Sequence, residues 1–97
     1  MAPVLELLKT RRNEIIAAAA RHGARGVRVF GSAARGESTE SSDVDFLVDM
    51  GDDTTLFDRA ALMVELAAIL GCEVDVVTEK ALKPRVRAHV LSEAIAL

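Results

Sequence analysis

Apolar and polar positions repeat along this chain with two different periods. Val4, Leu5, Leu8, Ile15, Ile16 and Ala19 fall on one helical face, and Glu6, Lys9, Arg12 and Asn13 fill much of the rest. Pro3 suits the first turn of a helix, where its missing N–H is not needed, and Gly23 ends the pattern. The spacing predicts a helix over about 3–22. Val27–Phe30 is a short β-prone run, followed by a stretch from Gly31 to Ser42 that is rich in Gly, Ser and Thr and has no periodicity. That stretch reads as a loop, with room for a helical turn.

The period then changes to two. Val44, Phe46 and Val48 alternate with Asp45, Leu47 and Asp49, which predicts a strand. Gly51 and Asp52-Asp53 break it. Leu56, Ala60, Met63, Val64, Ala67 and Leu70 trace a second helical face, read as core and closed by Gly71. Val74, Val76 and Val77 give a third strand, and the tail from Lys80 to Leu97 reads as helical from about Pro84.

The resulting order is αβ–loop–βαβ–α. A strand–helix–strand unit over about 44–77 favours parallel pairing. The first strand, joined to it by a loop too short for a crossover helix, is expected to pair antiparallel. The fold expected is α/β of the α+β kind: a small mixed sheet of about three strands with helices packed against it. The 97 residues make one domain, 1–97, with no repeat and no interdomain linker.

Composition narrows the function classes. Hydrophobic residues make up 51% of the chain and charged residues 28%, which suits a globular domain with one modest core. Twelve Lys and Arg against fifteen Asp and Glu give a net charge of −3, which argues against direct nucleic-acid binding, since that needs a basic face. No apolar run approaches the roughly 20 residues needed to span a bilayer, so no membrane role is expected. Met1-Ala2-Pro3-Val4 lacks the build of a secretory leader, and the single Cys72 cannot form an internal disulfide. A cytoplasmic home is the expectation.

Charge matters most at three aspartates. Asp43 and Asp45 stand two apart at the start of the second strand, so their side chains share one face, about 7 Å apart along the strand. Asp75 interrupts the apolar third strand and joins them if the two strands are neighbours. At 5–7 Å and an effective dielectric near 20, each like-charged pair repels by roughly 2–3 kcal/mol. A cluster of this kind takes up protons or a divalent cation, and oxygen-only ligands suit Mg²⁺ or Mn²⁺. Read singly, Asp43 caps a turn and Asp45 is a solvated strand residue.

The glycine loop shifts that balance. Gly31 follows a strand and carries no side chain, so its backbone and the Ser32 hydroxyl can approach a phosphate closely. Arg35 is in reach to add a forked positive charge. Gly31 and Gly36 match the glycine spacing of a P-loop, but Glu37-Ser38 stands where that motif has its Lys and Ser or Thr. A Walker-type NTPase is excluded.

Gly31-Ser32, ten intervening residues and then Asp43-Val44-Asp45 resembles the signature of the DNA polymerase β-like nucleotidyltransferase superfamily. The fuller string GSAARGESTESSDVDFLV is similar to its minimal, MNT-type members, which are paired with HEPN-domain partners in toxin–antitoxin operons. The resemblance covers about 27–77 and implies a nucleotidyltransferase-like fold. It implies that Gly31 and Ser32 hold the triphosphate, with Arg35 and Ser42 near the phosphates. Asp43 and Asp45 would bind the metal, Mg²⁺ or Mn²⁺. Asp75 would be the third carboxylate, assisting the metal and acting as base toward the acceptor hydroxyl.

The activity so implied is transfer of a nucleoside monophosphate, AMP from ATP, to a hydroxyl of a partner protein. The partner and acceptor would be a HEPN-type toxin, with this chain as the antitoxin. The length leaves no room for a separate acceptor-binding domain, and self-association is compatible with it. The alternative is a binding module that neutralises its partner by contact alone. Outside the motif, His22 reads as a helix C-terminal residue, His89 as a surface or packing residue, and Cys72 as a small buried apolar one. Lys80, Lys83, Arg85 and Arg87 read as a solvated basic face.

Overall fold

Thr10 shapes the N-terminal segment. In the computed structural model, which describes residues 4–37 and 43–97, the single predicted helix is two: α1 (Val4–Thr10) and α2 (Arg12–Arg21). The Thr10 hydroxyl donates to the Glu6 carbonyl at 2.9 Å, a back-bond that bends helices. Arg11 leaves the α region at φ −94° and ψ 10°. The ladder continues through the bend, since Arg11 N–H donates to Leu7 O and Ile15 N–H to Arg11 O, both at 3.0 Å. The apolar stripe therefore holds, with Leu8, Ile15, Ala18 and Ala19 buried. The expected start at Pro3 lies outside the described residues.

β1 (Ala24–Phe30) begins three residues before the expected Val27. Gly26, at φ +59°, sits where the pairing register shifts between Arg25 and Arg28. That bulge hides the strand start from any alternation pattern. The loop after β1 opens with a four-residue helix, α3 (Ser32–Arg35), closed by the left-handed Gly36. β2 (Val44–Met50), α4 (Leu56–Leu70) and β3 (Val74–Thr78) follow as predicted. Thr55 and Asp58 form a capping box at the start of α4, with Thr55 N–H donating to Asp58 Oδ2 at 2.7 Å.

The tail is not helical to its end. After a 3-10 turn at Glu79–Ala81, α5 (Pro84–Glu93) stops at Ala94, and Ile95–Ala96 forms a short strand, β4. The sheet therefore has four strands rather than three, in the order β3-β2-β1-β4. β2 and β3 are parallel, and β1 is antiparallel to both β2 and β4. Two residues give no detectable period, and Leu97 N–H donating to Val27 O at 3.1 Å helps hold this edge.

One face of the sheet carries the core, where Val27, Val29, Val44, Phe46, Val48, Val74 and Val76 meet Leu8, Ile15, Leu62 and Leu66. The buried stripe of α4 is Leu62, Leu66 and Leu70. Of the expected face, Leu70 is buried and Met63 and Ala67 pack against the core, but Leu56 and Val64 are 76% and 72% exposed. α4 is apolar around most of its circumference, so periodicity alone does not choose the face. On the opposite side of the sheet Leu47 and Val90 are buried outside that cluster, and α5 packs beside β1. Alternation puts Asp45 on the same side as Leu47.

Candidate active site

The site is built where β1 ends and β2 and β3 begin. Parallel pairing places Asp45 directly beside Asp75, and antiparallel pairing places Phe30 on the other side of Asp45. Neighbouring strands lie about 4.8 Å apart, so Asp45 and Asp75 occupy one rung of the sheet on one face. Asp43 is exposed one residue before β2, two before Asp45 and on the same face. The three aspartates read from the sequence are thus brought to one corner.

Gly31 closes that corner. Its backbone has φ +75° and ψ −151°, a region essentially restricted to glycine, and a Cβ there would lie 2.5 Å from Asp45 Oδ2. The turn and the carboxylate can pack together only without a side chain. Gly31 leads into α3, so Ser32 begins the helix and Arg35 ends it. Ser42 lies outside the described residues.

Arg35 does not point alone into solvent. It donates through Nε to Glu37 at 3.0 Å and through a terminal nitrogen to both oxygens of Glu93 at 3.1 and 3.3 Å. Gly31 N–H donates to the same Glu93, at 3.0 Å to Oε1. Glu93, the last residue of α5, is therefore part of the site. Sequence reasoning missed it because it lies 62 residues from Gly31 and belongs to no motif; only the fold brings it there.

The electrostatics follow from this placement. Burial raises the Asp45 carboxyl above the ordinary Asp range, and the charges of Asp75 and Asp43 raise it further, with Arg35 opposing. Glu93 shifts the other way. Burial works against its charge, but the Gly31 N–H and the Arg35 guanidinium outweigh it, so its carboxyl sits below the usual range. Arg35, hydrogen-bonded first to Glu37 and then to Glu93, holds its proton more firmly than usual. Cys72 packs against the core, and burial together with the charge of Asp43 raises its thiol pKa.

The donor chemistry fits a hard divalent cation. Asp45 carries like charge from two neighbours that a cation would relieve. Among the described residues no three His, Cys, Asp or Glu side chains converge into a complete metal cage.

The remaining candidates are structural. His22 caps α2 and its ring meets Glu65 of α4 at 2.7 Å, beside an Arg21–Glu65 ion pair. His89 is exposed and 3.7 Å from Glu93. Lys80 pairs with Asp52, and Arg87 donates to Leu82 O. A cleft of about 830 Å³ lies at the other end of the sheet, from Gly26 and Arg28 across Leu47–Gly51 to Thr78–Lys80. It contains none of the three aspartates. No helix among the described residues is long and apolar enough to cross a membrane.

The fold is thus a small mixed sheet with a Gly-Ser turn ending one strand and aspartates sharing a rung on its neighbours. The chain belongs to the nucleotidyltransferase domain family, whose model matches residues 13–97. A solved structure assigned to the minimal nucleotidyltransferases is 52% identical, with a TM-score of 0.87, covering 96% of this chain and 95% of that one. The protein adenylyltransferase MntA of Thermococcus cleftensis is 43% identical over 75 residues, 77% of this chain and 76% of its own. A relative from Methanocaldococcus jannaschii assigned as a protein adenylyltransferase is 39% identical over 84 residues, 87% of this chain and 90% of its own. The fold is also that of a Shewanella oneidensis complex of a tri-AMPylated HEPN toxin with its MNT antitoxin. That likeness has 21% identity and a TM-score of 0.69, covering 91% of this chain and 69% of that one.

Proposed function

We propose that this chain transfers AMP from ATP to a hydroxyl of a partner protein. The observation that carries the reading is the rung of Asp45 and Asp75, with Asp43 beside it and Gly31 packed against Asp45. The Gly31 amide, the Ser32 hydroxyl and Arg35 bind the β- and γ-phosphates. Asp43 and Asp45 face the α-phosphate, and Asp75 takes the proton of the acceptor hydroxyl as its oxygen attacks the α-phosphorus and pyrophosphate leaves. Asp43 and Asp45 would hold Mg²⁺ or Mn²⁺, which would supply charge neutralisation at the reacting phosphate.

Adenylyl transfer is favoured by the two archaeal relatives, both assigned to protein adenylyl transfer. These 97 residues contain no tyrosine, so a tyrosine acceptor would lie outside them. A HEPN-type toxin is the partner by analogy with the Shewanella oneidensis complex, and this chain is then its antitoxin.

The test is label transfer from ATP labelled at the α-phosphate to a co-purified HEPN-type partner, with Mg²⁺ present. Transfer by the wild type and its loss in Asp43→Asn and Asp45→Asn supports the reading. If both variants neutralise the partner as fully as the wild type, contact alone is the mechanism.

A further inference from the structure

Glu93 holds the groups that the proposed phosphate site would use. Its carboxylate accepts from Gly31 N–H at 3.0 Å and from Arg35 at 3.1 and 3.3 Å, and its side chain is only 16% exposed. A backbone amide and a guanidinium converging on one anion is the chemistry of a phosphate subsite. Here an internal carboxylate satisfies both. Resting on the nucleotide reading above, we propose that Glu93 is a built-in competitor for the triphosphate, a side chain that ATP displaces in order to bind.

The surroundings favour displacement over a fixed supporting role. Asp45 lies close enough that the Glu93 charge contributes to raising its carboxyl, so Glu93 adds to the repulsion in the corner. Arg35 keeps a second carboxylate partner, Glu37, two residues away on its own segment. In the same position Glu93 also lies beside His89, one helical turn back, at 3.7 Å from Oε2. Ala94, at φ −66° and ψ 138°, separates α5 from β4, which pairs with β1. A site whose competent form is only partly populated binds its ligand more weakly by that fraction.

The experiment is calorimetric titration of Mg²⁺–ATP into the wild-type protein, Glu93→Gln and Glu37→Gln. Each variant is first checked by circular dichroism and thermal unfolding. Glu93→Gln keeps the shape and a weaker acceptor for Gly31, while Glu37→Gln removes the same charge from Arg35 and leaves Gly31 untouched. The competitor role predicts that Glu93→Gln tightens ATP binding by about 10-fold or more, and Glu37→Gln by much less. The Gly31 amide resonance should move on ATP addition and match the new position in both proteins.

Equal or weaker binding by Glu93→Gln overturns the competitor role and makes Glu93 a support for Arg35. Equal tightening by both variants also overturns it, since net charge alone then explains the gain. Absence of ATP binding in all three proteins overturns the nucleotide reading and the competitor with it.

Discussion

A methyl group on Gly31 would lie 2.5 Å from Asp45 Oδ2, so the turn ending β1 and the carboxylate near the start of β2 share one space. Gly31→Ala therefore carries two penalties, the collision and a backbone region that L-residues avoid. We expect a stability loss of about 1–3 kcal/mol in urea unfolding and loss of nucleotidyl transfer. Gly36 is the comparison, because it has a similar positive φ with nothing within 4 Å of its would-be Cβ. Gly36→Ala should cost roughly 1 kcal/mol and keep the carboxylate corner intact.

Asp45→Asn separates activity from stability. Burial and the neighbouring aspartates raise the native Asp45 pKa, so the folded protein binds that proton more tightly than the unfolded chain. The contribution favours folding below the ordinary Asp range and is lost as pH rises through the raised native value. Without divalent metal, Asp45→Asn should thus match or exceed the wild-type melting temperature at pH 7, with the difference vanishing in acid. Its transfer activity should fall by roughly 100-fold or more. A variant clearly less stable than wild type at neutral pH would show that the rung is not strained by its charges.

Glu65 has the opposite sign. Hydrogen bonds from Arg21 and then His22 hold its carboxyl below the usual range, tying α2 to α4. Its contribution is present above the ordinary Glu range and is lost as pH falls through the lowered native value. Glu65→Gln should lower the melting temperature at pH 7 by a small amount and flatten its acid dependence, with label transfer unchanged.

The face of α4 is tested by two truncations. Leu66 is fully buried, so Leu66→Ala should cost about 2–5 kcal/mol in urea unfolding. Val64 is exposed, and Val64→Ala should stay within about 0.5 kcal/mol of wild type. Similar losses at both positions would mean that this helix is seated differently.

What the residue pattern discloses here depends on range. Asp43, Asp45, Gly31 and Ser32 lie on a motif whose parts are close in sequence, and the rung with Asp75 follows once β2 and β3 are taken as parallel neighbours. The bend at Thr10 was not legible, because it comes from one hydroxyl bond inside an unbroken apolar stripe. The start of β1 was hidden by the Gly26 bulge, and β4 is two residues long. The face of α4 was legible only in part, at Met63, Ala67 and Leu70, because the helix offers apolar residues on several sides. Glu93 was out of reach for another reason: its partners are set by where α5 crosses the sheet, and no local spacing encodes that.

The Asp45–Asp75 rung spans thirty positions of sequence and closes only when α4 has docked between them. Neither aspartate meets the other in a chain whose crossover is still open. The carboxylate corner and the parallel pairing of β2 with β3 then form together. Substitutions deep in α4, far from any phosphate, would therefore register in an enzyme assay as a smaller number of competent molecules, each working at full speed.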